Sequence, residues 1–400
     1  MRNFRLYFYG QLISVAGTWM QTVAEQWLVF QLTHYSPLWL GIISGARAIP
    51  YVLFAVPGGH VADRYSRRVV LVWCQTVMML LAFALAVLAS NIWLPAQAWE
   101  VALLAALSGL VNAFNMPAQQ AFVADMVDRE TLGNAIALNS VRFNVARVLG
   151  PILAGEVLAT TGIAMCFLLN ALTFIAVIVS LFMMRLPSMT PQEHETSMWE
   201  GFKYIGRTVR VFRMVALVGF CSMFAWSAST LYPAMAHYYH QGARGYSDLI
   251  AANGVGAAIA GALVTLIGSS VPRRELVYGG AIVFCAALLV LSRTTVFGLA
   301  VAILILSGFA MIVFAISANT AVQEMVPDSL RGRVMAVYSL VFGGLQPLGG
   351  LEAGYLAEHS SAPFAIGCNA AVAGAVAVGL YGWSIGEGRA AQRSTRQTPS

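Results

Sequence analysis

Long apolar runs separated by short polar segments recur along the whole chain. The run VVLVWCQTVMMLLAFALAVLA, which begins at Val69, is typical, because its apolar character continues without strict alternation. A helix of about 20 residues spans the hydrocarbon of a bilayer. Strands of a membrane barrel would instead alternate apolar and polar positions over roughly ten residues. The pattern therefore predicts about twelve transmembrane helices between residues 6 and 385.

The composition supports a chain that lies mostly in lipid. Hydrophobic residues make up 59% of the 400 residues and charged residues only 10%, whereas soluble domains carry about 25% charged residues. Backbone polar groups inside a bilayer must be satisfied within the protein, which the helical interpretation achieves. All five cysteines fall inside apolar runs without metal-ligand spacing, so we expect neither a metal site nor disulfides.

Basic residues collect on one side of the predicted membrane. Arginines follow the second and eighth predicted helices in clusters, whereas Arg244 and Arg293 alone fall in the loops of the other side. Because basic residues are retained in the cytoplasm, both termini are expected there. The net charge of +6 is accounted for by this topology, and we expect no nucleic-acid partner.

The predicted helices divide into two sets of six. We expect a first six-helix bundle at 1–186, a cytoplasmic linker with an amphipathic helix at 187–213, a second bundle at 214–386 and a disordered tail at 387–400. At a spacing of 199 residues, Gly150 falls on Gly349 and Gly155 on Gly354. Parallel repeats of six helices related by a pseudo-two-fold axis are one way in which secondary transporters are built.

Ionisable residues are confined to selected helices. The third, sixth, ninth and twelfth predicted helices have no charge in their cores, whereas Glu25, Arg47 and Arg147 lie deep in the first, second and fifth. Charges at such depth are costly and mark functional sites. These three residues are our candidates for proton coupling, and Arg147 is also a candidate for binding an anionic substrate group. The alternatives are a permanent structural ion pair between Glu25 and Arg47 and, for Arg147, neutralisation of Glu25 or packing against the carbonyls of the fourth predicted helix.

Polar residues at helical spacing extend the candidate site. They are candidates for lining a cavity or contacting substrate, and comprise Gln11, Ser14, Thr18, Gln21, Asn144, Trp226, Ser229 and Glu352. Trp226 offers a face for stacking on a flat substrate. The alternatives are an interhelical hydrogen-bond seam for the first-helix residues and core packing for Trp226.

The loop after the second predicted helix reads GGHVADRYSRRV, from Gly58 to Val69. It resembles the signature loop of the major facilitator superfamily. The resemblance implies that Asp63 and Arg67 form a cytoplasmic latch between the halves when the transporter opens outward, with Asp125 as a partner for Arg67. The whole latch set is Gly59, Asp63, Arg64, Arg67, Arg68 and Asp125. Gly59 is expected to permit close helix approach. Loop charges that only set the topology are the alternative.

The fifth predicted helix carries RVLGPILAG from Arg147. It resembles the antiporter motif of drug:proton exchangers at Gly150, Pro151 and Gly155, although the last pair is Ala-Gly. Longer stretches are similar to the third drug:proton antiporter subgroup, which includes an enterobactin exporter. The resemblance implies proton-driven export of a bulky amphipathic compound across a bacterial inner membrane.

Enzymatic motifs are missing from the sequence. It has no HExxH, no GxSxG and no Walker loop, so we expect neither an enzyme nor an ATP-driven pump, and no cofactor. The expected partners are the lipid bilayer, a small-molecule substrate and protons, and we expect a monomer. A proton-coupled importer of a small solute and a non-transporting membrane scaffold or sensor remain open alternatives.

Overall fold

The computed structural model describes residues 2–92, 95–126, 131–184, 198–267 and 271–396, and within these ranges the secondary structure is helical. The helices of the first half are α1 (Arg2–Leu32), α2 (Pro37–Arg64), α3 (Arg67–Ala89), α4 (Ala98–Asp125), α5 (Leu132–Thr160) and α6 (Ile163–Met183). A short helix follows, α7 (Met198–Arg207). The second half comprises α8 (Val209–Tyr238), α9 (Gly242–Ile267), α10 (Arg273–Leu291), α11 (Phe297–Met325), α12 (Asp328–His359) and α13 (Ala362–Arg396).

Eleven of these described helices are long and apolar enough to cross a membrane. Twelve spans are predicted, and the remaining long helix, α1, is less apolar than these eleven. Its 31 residues give a length of roughly 46 Å, more than enough to span the hydrocarbon. The polar residues between Gln11 and Glu25 lower its hydropathy, so α1 differs from the others in composition and not in length.

Helix α8 is irregular near its middle. Its α-helical turns change to a π-helical turn at Cys221–Ala225, then to a 3₁₀ segment at Trp226–Leu231, and resume at Tyr232–Tyr238. Pro233 has no amide proton to give to the preceding turn, so the regular hydrogen-bond ladder cannot pass through it. Irregular turns of this kind are frequent at functional sites.

Glycine contacts relate the two halves as repeats. Gly150 of α5 lies directly against the backbone of α1 at Ala16, and Gly349 of α12 lies against the backbone of α8 at Met223. The fifth helix of each half is therefore seated on the first helix of the same half. Neither position has room for a side chain, which explains why both repeats carry glycine there.

A second pair of repeat glycines joins the two halves. Gly155 of α5 faces Ser247 of α9, where an added Cβ would lie 2.9 Å from the serine Cβ. Gly354 of α12 faces α2, where an added Cβ would lie 2.8 Å from the Pro37 carbonyl oxygen. The contacts between halves are thus α5 with α9 and α2 with α12, as a pseudo-two-fold axis requires.

The two halves pack together at one end of the molecule and separate at the other. We call the end where α1 begins the proximal end and the end of the α1–α2 turn the distal end. One buried core combines distal residues of both halves, such as Trp27, Leu40 and Tyr246. At the proximal end, each half has a core of its own, one around Phe122 and one around Tyr278. The molecule is therefore closed distally and divided proximally.

The described part of the connection between the halves is a short helix, and the final helix is longer than predicted. Residues 185–197 of the predicted linker lie outside the described part of the chain. Helix α7 follows, with Trp199 and Phe202 exposed and Glu200 paired with Arg333 of α12. The tail predicted to be disordered from residue 387 instead continues helix α13 to Arg396, through a segment rich in helix-forming Ala, Arg and Gln.

Candidate transport site

The first two helices bring Glu25 and Arg47 together. An Nη2 proton of Arg47 is donated to Glu25 Oε2 at 2.6 Å. The glutamate side chain is 1% exposed, whereas that of Arg47 is 33% exposed. Glu25 lies roughly 10 Å from the distal end of α1 and Arg47 about 15 Å from that of α2, at about 1.5 Å per residue. One member of the pair is therefore sealed and the other reaches an accessible space.

The pair is incompletely satisfied. Glu25 Oε1 and Arg47 Nε are both buried without a hydrogen-bond partner among the described residues. Buried charges are normally paired and fully hydrogen-bonded, because an uncompensated charge loses its hydration. The arrangement holds the carboxylate through one strong contact and leaves its second oxygen without a hydrogen bond among the described residues.

Arg147 lies at the junction of the two halves. Its Nη2 donates to Asn253 Oδ1 of α9 at 2.8 Å, and its guanidinium lies 5.9 Å from the centre of the Trp19 ring. No carboxylate forms an ion pair with Arg147 in the described part of the chain. The half-buried guanidinium thus has donors to spare, at the height where α1, α5 and α9 meet.

Arg47 and Asn253 occupy equivalent places in the two repeats. Gly109 of α4 lies against the backbone carbonyl of Arg47, and Gly308 of α11 lies against that of Asn253. In the first repeat, Arg47 contacts Glu25 of the same half. In the second repeat, Asn253 contacts Arg147 of the other half. A shared backbone position therefore carries two different polar contacts.

Gly150, Pro151 and Gly155 of the antiporter-like motif shape α5 beside Arg147. Pro151 is buried and provides no amide proton for the Arg147 carbonyl, which is the usual acceptor one turn earlier. An added Cβ at Gly254 of α9 would lie 3.2 Å from that carbonyl oxygen. The proline and the facing glycine allow α5 and α9 to approach closely around Arg147.

The polar residues of α1 are mostly buried among helices in this conformation. Gln11, Ser14 and Gln21 are buried, and the Gln21 side chain accepts a hydrogen bond from Asn170 of α6 at 2.6 Å. The Thr18 hydroxyl donates to the Ser14 carbonyl of its own helix at 2.9 Å. The contact from Gln21 to α6 favours the interhelical seam over a cavity wall for that part of the helix.

The remaining substrate candidates have contacts within the protein. Trp226 meets Phe342 of α12 edge to face, with ring centres 4.9 Å apart, and the Ser229 hydroxyl donates to the Trp226 carbonyl. Both residues stay half-buried, as does Asn144 of α5. Glu352 accepts a hydrogen bond from Asn369 of α13 at 2.8 Å. Among the described residues, the hydrogen bond of Glu352 is thus with Asn369 and not with Arg47 or Arg147.

The signature loop forms an ion pair within the first half. Arg67 Nη1 lies 2.5 Å from both carboxylate oxygens of Asp125 at the end of α4. Asp63 is half-buried, forms no ion pair with Arg67, and Arg64 is exposed. Among the described residues, this motif makes no ion pair with the second half, whose proximal end stands apart.

The remaining motif residues anchor neighbouring helices. Arg68 donates to the backbone carbonyls of Phe182 and Met184 at the end of α6, at 3.0 and 3.3 Å. The close helix approach expected at Gly59 is wrong, because an added Cβ there would meet nothing within 4 Å. Its neighbour Gly58 is the glycine that lies against the α4 backbone at Ala113, since it points toward the interior.

Side chains from both halves close the distal end. Glu358 of α12 accepts hydrogen bonds from the Ser36 hydroxyl at 2.7 Å and from the Leu38 amide at 3.3 Å. Ser36 is the N-cap residue of α2 but makes no capping bond of its own. The start of α2 is therefore capped by a carboxylate from the other half, which also lies favourably near the positive end of the helix dipole.

Aromatic contacts add to this closure. Tyr35 stacks on His237 with ring centres 4.3 Å apart, and the Tyr246 hydroxyl of α9 donates to the Gln26 side chain at 2.5 Å. Beyond α8, the Tyr239 hydroxyl donates to the Thr294 carbonyl at 2.9 Å. Burial raises the pKa of Tyr239 to about 12, so this hydroxyl remains a donor at neutral pH.

Several contact residues are missing from the sequence-based set. They are neutral amides in apolar helices or a terminal carboxylate, namely Asn170, Asn253, Asn369 and Glu358. Asparagine is neutral, so it is not among the charged residues that mark a site deep in the membrane. An available signal is that asparagine inside an apolar span needs a polar partner just as a charge does.

The comparisons with known proteins agree with this architecture. The chain matches the family described as transmembrane secretion effector over residues 1–399. It is 28% identical to the enterobactin exporter of Escherichia coli O1:K1 / APEC over 368 residues, covering 88% of this chain and 85% of the relative. It is 27% identical to the staphyloferrin A transporter of Staphylococcus aureus (strain NCTC 8325 / PS 47), over 44% of each chain, so that match spans less than half of the relative.

Solved transporters share the fold. A point mutant of the nucleoside transporter NupG superimposes with a TM-score of 0.73 at 14% identity, covering 94% of this chain and 98% of that one. A D-xylose–proton symporter gives 0.70 at 12% identity, covering 94% and 97%. Two repeated six-helix halves, the signature loop between α2 and α3 and the match along nearly the full length lead to one conclusion: this chain belongs to the transmembrane secretion effector family of the major facilitator superfamily.

Proposed function

We propose that the protein is a proton-coupled secondary transporter that exports a bulky amphipathic compound, drug-like or siderophore-like, from the cytoplasm by alternating access. One observation carries the proposal: the halves share a core distally and are separate proximally, with Glu25, Arg47 and Arg147 between the two regions. A transporter needs such a closed end, an open end and charged groups between them. A scaffold needs no ionisable groups at that depth.

The basic loops supply the orientation. Arg64, Arg67 and Arg68 lie at the proximal end, as do Arg273 and Arg274 of the second half. By the positive-inside rule, the proximal end and both termini face the cytoplasm of a bacterial inner membrane. The conformation is then open to the cytoplasm, the side from which an exporter loads. The exporter among the curated relatives supports the outward direction of transport.

Glu25 is the proposed proton carrier. When ionised it holds Arg47 at 2.6 Å. Protonation removes that attraction and leaves the Arg47 charge unpaired, so the energy difference between the two conformations of the transporter depends on the proton. Loading a proton from the distal side and releasing it proximally then drives the return step of the cycle.

Arg147 is the proposed contact for an acidic group of the cargo. It retains free donors, lies at the junction of the halves, and has Trp19 beside it and half-buried Trp226 on α8. Arginine recognises carboxylates and similar anions through paired hydrogen bonds. Aromatic neighbours can take flat or apolar parts of the same compound.

Transport in inverted vesicles tests the proposal. A dye and a panel of siderophores are offered outside vesicles whose lumen is acidic, and uptake is followed with time. Wild type should accumulate at least one compound in a way that collapses when the pH gradient is abolished. Glu25→Gln should lose gradient-driven uptake by at least tenfold yet retain exchange of labelled for unlabelled cargo, which shows that it is folded.

A matched acid provides the control. Glu156 of α5 is exposed and forms no ion pair among the described residues, so Glu156→Gln should transport normally. Full gradient-driven uptake by Glu25→Gln would show that this carboxylate does not carry the proton.

Movement of cargo only toward the cytoplasmic face would instead support the importer, and no movement of any compound by folded protein would support the scaffold.

A further inference from the structure

Three buried side chains with unused hydrogen-bond donors lie at the same height near the proximal end of the first half. Tyr7 and Gln11 belong to α1 and are 1% and 2% exposed, and Arg142 belongs to α5 and is 4% exposed. Tyr7 Oη, Gln11 Nε2, and Arg142 Nε and Nη1 are all buried without a well-formed hydrogen bond among the described residues. Native proteins satisfy most buried polar atoms, so such a concentration requires a reason.

These groups lie at one level of the bundle. The Arg142 guanidinium is 5.8 Å from the centre of the Tyr7 ring, and Gln11 follows Tyr7 by one helical turn on the same face of α1. Helices α1 and α5 run parallel, and the contact of Gly150 with Ala16 sets their register. Arg142 precedes Gly150 by about two helical turns, and the same distance before Ala16 on α1 falls between Tyr7 and Gln11.

These three side chains offer more donors than acceptors. The amide and guanidinium nitrogens only donate, and the Tyr7 hydroxyl can accept from Arg142 and still has a proton to give. Arg142 adds a permanent positive charge and forms no ion pair in the described part of the chain. The Tyr7 hydroxyl is within reach of both the Arg142 guanidinium and the Gln119 side chain of α4, but neither brings a negative charge. Asp125 is occupied by Arg67 at 2.5 Å. A buried cation needs a counter-charge, and its contact with an aromatic ring supplies only part of it.

We propose that Tyr7, Gln11 and Arg142 form a binding site for a small anionic group, a carboxylate or phenolate arm of the cargo or a free inorganic anion. An anion would accept hydrogen bonds from all three side chains and neutralise the arginine. Arg142 precedes Arg147 on α5 by roughly 7.5 Å, on the side of the proximal opening. The site thus lies between the cytoplasmic entrance and Arg147. The assignment of the anion to an arm of the cargo rests on the proposed export function, whereas binding of a free inorganic anion does not.

Thermal unfolding of the purified full-length protein in detergent tests the site without any transport step. Chloride, acetate and benzoate are titrated separately at constant ionic strength, with a bulky buffer anion as the balance. A ligand that binds only the folded protein raises the midpoint once its concentration exceeds its Kd, and the rise then grows with the logarithm of the concentration. Wild type should show such a rise with at least one of the three probes.

Variants assign the effect to the site. Arg142→Met should weaken the response at least tenfold, and Tyr7→Phe, which removes one oxygen atom, should weaken it roughly fivefold. Arg213→Met is the matched control, because Arg213 is also 4% exposed and also lies over an aromatic ring, 4.9 Å from the centre of Trp383. It should leave the anion response unchanged. If Arg142→Met does not fold, Tyr7→Phe decides.

The outcomes separate the two sources of the anion. If benzoate and chloride both raise the midpoint and their combined effect is less than additive, they compete for one site that accepts an aromatic acid arm. A rise with chloride alone indicates a free inorganic anion. The proposal is overturned if no probe raises the wild-type midpoint in this way, or if Tyr7→Phe responds as wild type does. Because binding is read without a gradient or cargo movement, failure of export in vesicles leaves this result interpretable.

Discussion

The distal closure by Glu358 predicts a measurable shift between the two conformations of the transporter. Glu358→Ala removes the acceptor for the Ser36 hydroxyl and the Leu38 amide, and thereby the cap that the second half places on α2. The bonds join two halves that must separate distally when the transporter opens outward. They therefore stabilise the distal-closed form alone, and their loss should favour opening.

The size of the shift follows from capping energetics. Loss of a helix cap costs about 1 kcal/mol, and the nearby helix dipole adds a few tenths at an exposed site. An energy of about 1 kcal/mol changes an equilibrium roughly fivefold. The ratio of distal-open to distal-closed molecules should therefore rise roughly fivefold in Glu358→Ala, without loss of folded protein.

Glu100 offers a matched control on the same side of the membrane. Its carboxylate accepts a hydrogen bond from the Gln97 amide at 2.8 Å and so caps α4, but both residues belong to the first half. Glu100→Ala should cost similar helix stability and leave the conformational ratio unchanged. Equal shifts in the two variants would mean that the effect comes from helix fraying and not from a bond between the halves.

Spin-label distance measurements provide the assay. Labels at Ile92 and Thr295, exposed at the distal ends of the first and second halves, report the separation of the halves directly. The distance distribution is compared between wild type and both variants at the same pH. An unchanged distribution in Glu358→Ala would refute the role of this cap as a gate contact.

Two further predictions follow from local packing and charge. Gly58→Ala should lower the unfolding midpoint or the folded yield, at a cost of roughly 1–3 kcal/mol, because its Cβ would overlap the backbone of α4 at Ala113. Gly59→Ala is its control and should be neutral, and similar loss in both would contradict the packing argument. Asn253→Asp should place a carboxylate against Arg147, which would then compete with an anionic cargo for the guanidinium. The KM for such a cargo should rise about tenfold. Efflux kinetics that are the same for Asn253→Asp and wild type would remove Arg147 from the cargo site.

The sequence alone determined the membrane architecture of this protein. Helix length in lipid depends on a run of apolar residues, and this property is local, so the spans can be recognised without tertiary information. The one-sided distribution of arginines and the repeated glycines at a spacing of 199 residues predict the orientation and the two halves. The depth of Glu25, Arg47 and Arg147 follows from the same spans.

Only the tertiary structure decided which side chains meet and which end is closed. A hydropathy pattern gives the face of a helix but not its rotation against neighbours, so it cannot choose between Gly58 and Gly59 as the close contact. Hydropathy also does not mark asparagine as a partner, although Asn253 holds Arg147 across the halves. The open and closed ends depend on contacts such as that of Glu358 with Ser36, 322 residues apart, which form or break while every local pattern stays the same.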